Sequence, residues 1–277
     1  MKIEAFLPLV TYTDPNADAI AANAVAVAAL LGADLNVLAV NVAIPQVSNA
    51  LSRFLLDVPD MIRQAETTSR RHAERLVEAV EAAAKTAGVA VTAETIADTP
   101  PLLGATAALR ARYHDLSLVG LEAENPTSRS TAESVVFGSG RPVVLLPETV
   151  DAGAFDHVAV AWDGSRVAAR AVADARPFLA RARRVSVLTV VDEKPLAIED
   201  GERLAAGLRR SGVEAESVAL RGKGAAVART LQDGAMERGG GLLVMGGYGH
   251  SRVRDFVMGG ATEGVLKALS IPVLLSH

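Results

Sequence analysis

LLVMGGYGHSRVRDFVMGGATEGVLKALSIPVLLS, running from Leu242 to Ser276, passes from a short apolar run through a glycine-rich segment into a helix-like segment and a second apolar run. Gly246, Gly249 and Gly259 stand in G-x2-G-x9-G spacing between what reads as a buried strand and a helix. Glycines in that setting let a backbone approach a ligand closely and leave amide N–H groups pointing outward. A helix beginning near Gly260 adds its own free N–H groups and the positive end of its dipole. Together these suit the phosphates of a nucleotide. A glycine-rich connection that binds nothing has the same spacing, so this stretch alone leaves both readings open.

Working outward, the stretch has an earlier echo. Leu116-Ser117-Leu118-Val119-Gly120 matches Leu242-Leu243-Val244-Met245-Gly246, and Pro142-Val143-Val144-Leu145-Leu146 matches Pro272-Val273-Leu274-Leu275. In the first half, strands are expected at Lys2–Val10, Asp34–Val42, Val89–Ala97, Leu116–Leu121 and Val143–Pro147. Asp14-Pro15 reads as a helix start, with Asp14 as N-cap and Pro15 at the first helical position, and Gly32 closes that helix after Leu31. Ile44–Asp60 is irregular, Met61–Ala87 is a charged amphipathic helix closed by Gly88, Pro100-Pro101 opens a helix to about Tyr113, and Thr131–Phe137 reads as a short one.

In the second half, strands are expected at His157–Trp162, Val185–Val191, Glu214–Leu220, Gly241–Met245 and Ile271–Leu275. The helices between them fall near Arg166–Arg181, Asp200–Ser211, Ala225–Arg238 and Glu263–Leu269. The reading is α/β: two tandem five-stranded domains, residues 1–149 and 156–277, joined around Glu148–Phe155.

The halves differ where a phosphate site would lie. From Gly120 to Pro142 is 22 residues and from Gly246 to Pro272 is 26, and the first half offers Glu122-Ala123-Glu124 in place of the spaced glycines. Two carboxylates there would repel phosphate. If the segment is a phosphate site, only the second half retains it.

Composition narrows the function classes. Of 277 residues, 50% are hydrophobic and 4% aromatic, which predicts a core of Ala, Val and Leu and closely packed helices on parallel strands. A net charge of −4 argues against broad electrostatic binding to nucleic acid or acidic membranes. With no cysteine, disulfides, thiolate metal sites and cysteine nucleophiles are excluded. Ala17–Ala33 is weakly polar but contains Asp18 and Asn23 and lacks a basic leader, so a buried helix fits better than a membrane span, and a cytoplasmic location is the expectation.

These residues resemble a tandem universal stress protein: Ala161-Trp162-Asp163-Gly164-Ser165 after a strand, the G-x2-G-x9-G segment, the duplicated β-α order and the final Pro-Val-Leu-Leu strand. The resemblance is stronger over 156–277 than over 1–147. It implies a doubly wound parallel sheet of order 3-2-1-4-5, of the adenine-nucleotide alpha-hydrolase-like kind, with ATP or AMP bound where the order reverses. Carried across, Ala161, Trp162 and Asp163 would lie by adenine and ribose, and Val190 would offer backbone contacts to the base. Met245, Gly246 and Gly249 would flank ribose and phosphates, and Gly259, Gly260, Ala261 and Thr262 would hold the phosphate tail, with or without Mg2+. The departure is Gly260, where nucleotide-binding members usually carry Ser or Thr. Losing one hydrogen bond to a charged group costs about 1.5–3 kcal/mol, roughly ten- to hundredfold in affinity. Thr262 offers a compensating hydroxyl, and ADP or AMP then stands beside ATP as ligand.

Each candidate has a plainer reading. Asp163 either bonds ribose or caps the next helix with Ser165, and Trp162 either stacks near the base or packs half-buried. Arg252 and Arg254 either reach phosphate or, for Arg254 beside Asp255, form a surface pair worth little. His250 reads as a solvated side chain, and Phe256, Val257 and Met258 as anchors of the segment. The five histidines lack ligand spacing, so no zinc site is expected. There is no G-x-S-x-G elbow, no GxxxxGK[ST] loop and no Ser-Gly-Gly loop of an ATP pyrophosphatase. No general base can be named. The sequence is read as a non-catalytic adenine-nucleotide-binding stress protein, acting as a regulatory or partner-binding module toward an unidentified protein. The alternatives are a nucleotide-independent interaction protein and a slow ATPase. Pairing of Val143–Leu146 with Val273–Leu275 would give an intramolecular pseudo-dimer, and a homodimer through other surfaces stays open.

Overall fold

A computed structural model describes residues 2–45, 58–148, 155–192, 198–247 and 260–277. In chain order the elements of the first part are β1 (Glu4–Val10), α1 (Asp18–Leu31), β2 (Asp34–Val42), α2 (Val58–Ala87), β3 (Val91–Asp98), a 3-10 turn (Pro100–Leu102), α3 (Leu103–Ala111), β4 (Leu116–Gly120) and α4 (Pro126–Gly138). There follow β5 (Val143–Leu146), β6 (His157–Ala161), α5 (Arg166–Asp174), α6 (Arg176–Leu179), β7 (Arg184–Val190) and α7 (Ile198–Arg210). The chain ends with β8 (Ala215–Leu220), α8 (Val227–Met236), β9 (Leu242–Gly246), α9 (Ala261–Lys267) and β10 (Val273–Ser276).

The contacts group the chain into two compact units, Met1–Ser139 and Gly140–His277. In the first, the strands run β3-β2-β1-β4, all parallel. In the second, β8-β7-β6-β9-β10 is parallel and reads 3-2-1-4-5 in that half's own numbering. β5 joins the second unit because it pairs antiparallel with β10, Leu145 opposite Val273 and Val143 opposite Leu275. The expected linker falls largely on residues 149–154, outside those described.

The central strands are apolar along their length because helices cover both faces of a doubly wound sheet. Val158, Val160, Leu242, Leu243 and Val244 of β6 and β9 are at most 1% exposed. Their β-branched and aliphatic side chains leave little need for rings, although Phe155 and Phe178 meet at 5.7 Å between centroids in the second unit.

The helix terminators behave as read: Gly32 and Gly88 hold φ of 65° and 70°, left-handed positions that cost a side chain strain. Three helix boundaries are corrected. α1 begins at Asp18 rather than at Asp14-Pro15, because Asn16 Oδ1 accepts from Val10 N at 2.7 Å and folds the segment back on β1. α4 begins at Pro126, five residues before the expected Thr131, with Asn125 as N-cap accepting from Thr127 N and Ser128 N. The helix expected over Arg166–Arg181 breaks at Ala175, since Pro177 has no N–H to continue the ladder. Among the described residues no helix is long and apolar enough to cross a membrane.

Candidate functional site

In the second unit the strand order reverses at β6, which has β7 on one side and β9 on the other. In open α/β sheets the crevice outside the carboxyl ends at such a point is where ligands lie. Ala161 closes β6, and Trp162 N donates to Leu188 O at 2.9 Å, prolonging the β7 pairing by one residue. The chain then turns away: Gly164 takes φ of 71°, Asp163 Oδ1 accepts from Ser165 N at 3.0 Å, and Ser165 Oγ caps α5 through Ala168 N at 3.2 Å. Asp163 therefore orders the turn and Ser165 performs the helix capping. Both side chains are half-buried at this edge. Trp162 is half-buried as well, but its Nε1 is shielded from solvent with no hydrogen-bond partner among the described residues.

Gly246 ends β9 in the neighbouring position. A Cβ there would stand 2.6 Å from Ala168 N and 2.6 Å from Val167 C, so the glycine is what lets the first turn of α5 press against β9. Gly247 N donates to Ser276 O at 2.7 Å and holds the next residue on β10. Met245 is buried, and Val190 is buried at the carboxyl end of β7.

Beyond the glycine segment, Gly260 sits at the N-cap of α9 in extended backbone with φ of −173°, and no side chain caps the helix. Ala261 is half-buried and Thr262 is buried. Glu263, also buried, pairs with Lys267 Nζ at 2.5 Å. Gly264 faces Ala228 Cβ, which a Cβ would meet at 2.5 Å, so α9 is laid directly on α8. Gly249 and Gly259, with His250, Arg252, Arg254, Phe256, Val257 and Met258, lie outside the described residues.

A side chain not singled out from the sequence also shapes this edge. Asp192, just past β7, accepts from Gly222 N at 2.8 Å and Lys223 N at 3.0 Å. Those backbone N–H groups, Lys223 first, hold its carboxyl below the usual carboxylate range. The Asp followed thirty residues later by a Gly-bearing turn gives no local signal, because the pairing is made only by adjacent strand ends.

In the first unit the same topological position is filled by the chain itself. Glu122, 7% exposed, accepts at Oε1 from Asn16 Nδ2 at 2.7 Å and Ala17 N at 3.1 Å, at the start of α1. Its own N–H donates to Ser128 Oγ at 3.3 Å, and Asn125 Nδ2 donates to Asp14 O at 3.0 Å. The carboxylate expected to repel phosphate instead satisfies donors at a helix start. The first half, with the shorter spacing, nevertheless has the longer helix, 13 residues in α4 against 7 in α9.

Across β1 and β2, Thr11 Oγ1 donates to Val40 O at 2.8 Å, and Ser69 Oγ of α2 lies 2.8 Å from Thr11 Oγ1 and accepts from Val42 N at 3.0 Å. A small cleft lies between the ends of β1 and β2 and helices α3 and α4, lined by Val10, Thr11, Val40, Leu103 and Thr131 among others.

Comparison with known proteins finds a likeness in the second half. Residues 154–277 match the model of the universal stress protein family. The matched residues, rather less than half of the chain, are similar to that family. A universal stress protein of Synechocystis sp. is 29% identical over 150 residues, 51% of this chain and 49% of the relative, so the match spans about half the length of that curated relative. Among solved structures, a universal stress protein from Archaeoglobus fulgidus superposes with a TM-score of 0.70 at 18% identity, covering 99% of this chain and 97% of the other. A functionally unknown protein from Pseudomonas aeruginosa gives 0.52 at 14%, covering 99% and 92%. At those identities the likeness speaks for the α/β fold. The matched residues include the glycine segment and the Asp163 turn.

Proposed function

We propose that this chain is a universal stress protein that binds one adenine nucleotide in its second unit and acts as a non-catalytic, nucleotide-responsive module. The observation that carries the reading is the switch point between β6 and β9: Gly246 admits the first turn of α5 against β9 beside the half-buried Asp163, and the glycine segment leaves from that same strand end. Asp163 would bond ribose hydroxyls, and the backbone at Val190 and the Trp162 indole N–H would meet the base. The backbone of Gly246, Gly249 and Gly259 and the Gly260–Thr262 turn would receive phosphate, with Mg2+ as counterion for ATP or ADP. The orphaned Trp162 Nε1 supports this reading, since a buried donor without a partner is rare in a finished site. Among the described residues no side chain is placed as general base, and in this reading binding biases a conformation or a partner surface rather than driving turnover. The first unit, with Glu122 on the corresponding helix start, takes no nucleotide. The setting of this reading is the cytoplasm.

The test is to denature the purified chain and identify released small molecules by mass, alongside thermal shifts with ATP, ADP and AMP. The reading expects an adenine nucleotide, or a shift that Asp163→Ala reduces. Absence of both favours the nucleotide-independent interaction protein, for which the hydroxyl-free Gly260 is the supporting feature.

A further inference from the structure

One face of the first unit stands apart from the nucleotide reading. Of the five large apolar side chains exposed among the described residues, three lie at or beside α3: Leu102 (50% exposed), Leu109 (50%) and Tyr113 (78%). Their i, i+7, i+11 spacing brings them to one side of the helix, with the exposed Ala105 between the two leucines. The opposite side, Ala107, Ala108 and Ala111, is buried. The largest apolar groups thus sit along the line where an amphipathic helix is ordinarily most polar.

The fold does not demand this stripe. In the second unit α8 holds the same place, between β8 and β9 as α3 lies between β3 and β4. Its solvent side carries Arg229 and Asp233, paired at 3.4 Å, and Glu237, with Met236 as the single exposed large apolar side chain. Apolar residues scattered singly on a surface need no explanation, whereas a contiguous exposed stripe marks an interaction surface.

We propose that the α3 face is a self-docking surface, on which a second copy of this chain packs its own α3 antiparallel. The stripe is self-complementary. With the pairing centred between Ala105 and Thr106, Leu102 meets the partner's Leu109 at both ends of the contact, and the small Ala105 lets the two helices approach closely. Charge sets the direction. Asp98, fixed by Thr99 N and Thr106 Oγ1, stands before the helix, and Arg112, which donates to Gly138 O at 2.9 Å, stands after it. An antiparallel partner brings these opposite charges together at each end, while a parallel one would set like against like. The flank between them is neutralised by the Arg110–Glu94 pair at 3.1 Å, and the helix dipoles favour the same direction. A contact between two helices this short falls below the about 1,200 Å² that divides weak, transient association from stable complexes, so the dimer is concentration-dependent.

Sedimentation velocity of the full chain over a range of concentrations tests the surface. The wild type should shift from monomer toward dimer as concentration rises. Leu109→Arg, a change at a half-exposed position, should sediment as monomer throughout with an unchanged melting temperature. Because the chain has no cysteine, single introduced thiols report the geometry. Oxidation of Ala105→Cys, beside the two-fold axis, should give a disulfide-linked dimer. In antiparallel pairing the two Tyr113 residues stand roughly 20 Å apart at a rise of about 1.5 Å per residue, beyond disulfide reach, so Tyr113→Cys should stay unlinked. A wild type that is monomeric at every concentration would assign the stripe to a different partner and overturn the proposal. So would a dimer that survives Leu109→Arg, or crosslinking of Tyr113→Cys as readily as of Ala105→Cys.

Discussion

Gly246→Ala should destabilise the second unit, while Gly247→Ala, one residue on, should not. A Cβ at Gly246 meets backbone atoms of Val167 and Ala168 at 2.6 Å, and backbone cannot rotate out of the way as a side-chain tip can. The first turn of α5 must move off β9. Overpacking of this kind costs about 1–3 kcal/mol, and the shift also breaks the 3.2 Å cap from Ala168 N to Ser165 Oγ, worth about 1 kcal/mol. A total of about 3 kcal/mol corresponds to a factor of roughly 150 in the folding equilibrium. At Gly247 the nearest atom to a new Cβ is Ser276 O at 3.4 Å, an ordinary contact, so Gly247→Ala is expected within about 0.5 kcal/mol of wild type. Urea denaturation followed by far-UV circular dichroism measures both. Equal midpoints for the two variants would show that Gly246 is not the contact point between β9 and α5. The reasoning would then fail, whatever the ligand result.

Other perturbations separate the remaining interactions. Glu122→Gln keeps an acceptor for Asn16 and Ala17 while removing a buried charge, so the first unit should hold its stability. Glu122→Ala leaves those donors unmet and should cost about 2 kcal/mol; equal midpoints in urea would refute the cluster. Gln232, buried on α8, donates to Ala268 O at 2.9 Å and accepts from Ser270 N at 2.7 Å, bracing the link from α9 to β10. Gln232→Leu should therefore cost about 1–3 kcal/mol in chemical denaturation.

The Glu216 carboxyl on β8, held below its usual range by the Ser186 hydroxyl and then by Arg184, contributes stability that is complete above its unfolded value of about 4.3 and is lost as pH falls through its lower folded value. Urea midpoints should accordingly drop on acidification, and Glu216→Gln should flatten that slope; an identical slope in the variant would contradict the assignment.

Much of this fold can be read locally. Gly32 and Gly88 stop helices because the left-handed backbone at those points is cheap only for glycine, and the apolar runs of β6 and β9 need no partner to be recognised as buried strands. The misread helix starts share one cause. Asp14-Pro15 is a sound local start signal, but Asn16 and the Glu122 carboxylate, 105 residues away from Ala17, hold the segment in a turn instead. For α4 the signal is present and local: Asn125-Pro126 is an N-cap followed by proline at the first helical position. At the candidate site, Gly246 is legible from the glycine spacing, and Asp163 is what the family resemblance implies. Contacts made only by folding, such as Gly246 on Val167 and Asp192 on Gly222, are not legible, since strand adjacency rather than sequence distance creates them.

Calorimetric titration of ATP, ADP and AMP, each with and without Mg2+, into the full chain asks whether the second unit holds a nucleotide. The prediction is one site per chain, abolished by Gly249→Glu, which sets a carboxylate in the glycine segment, and unaffected by Glu122→Gln in the first unit. No heat from any of the three nucleotides, or binding that survives Gly249→Glu, would contradict it.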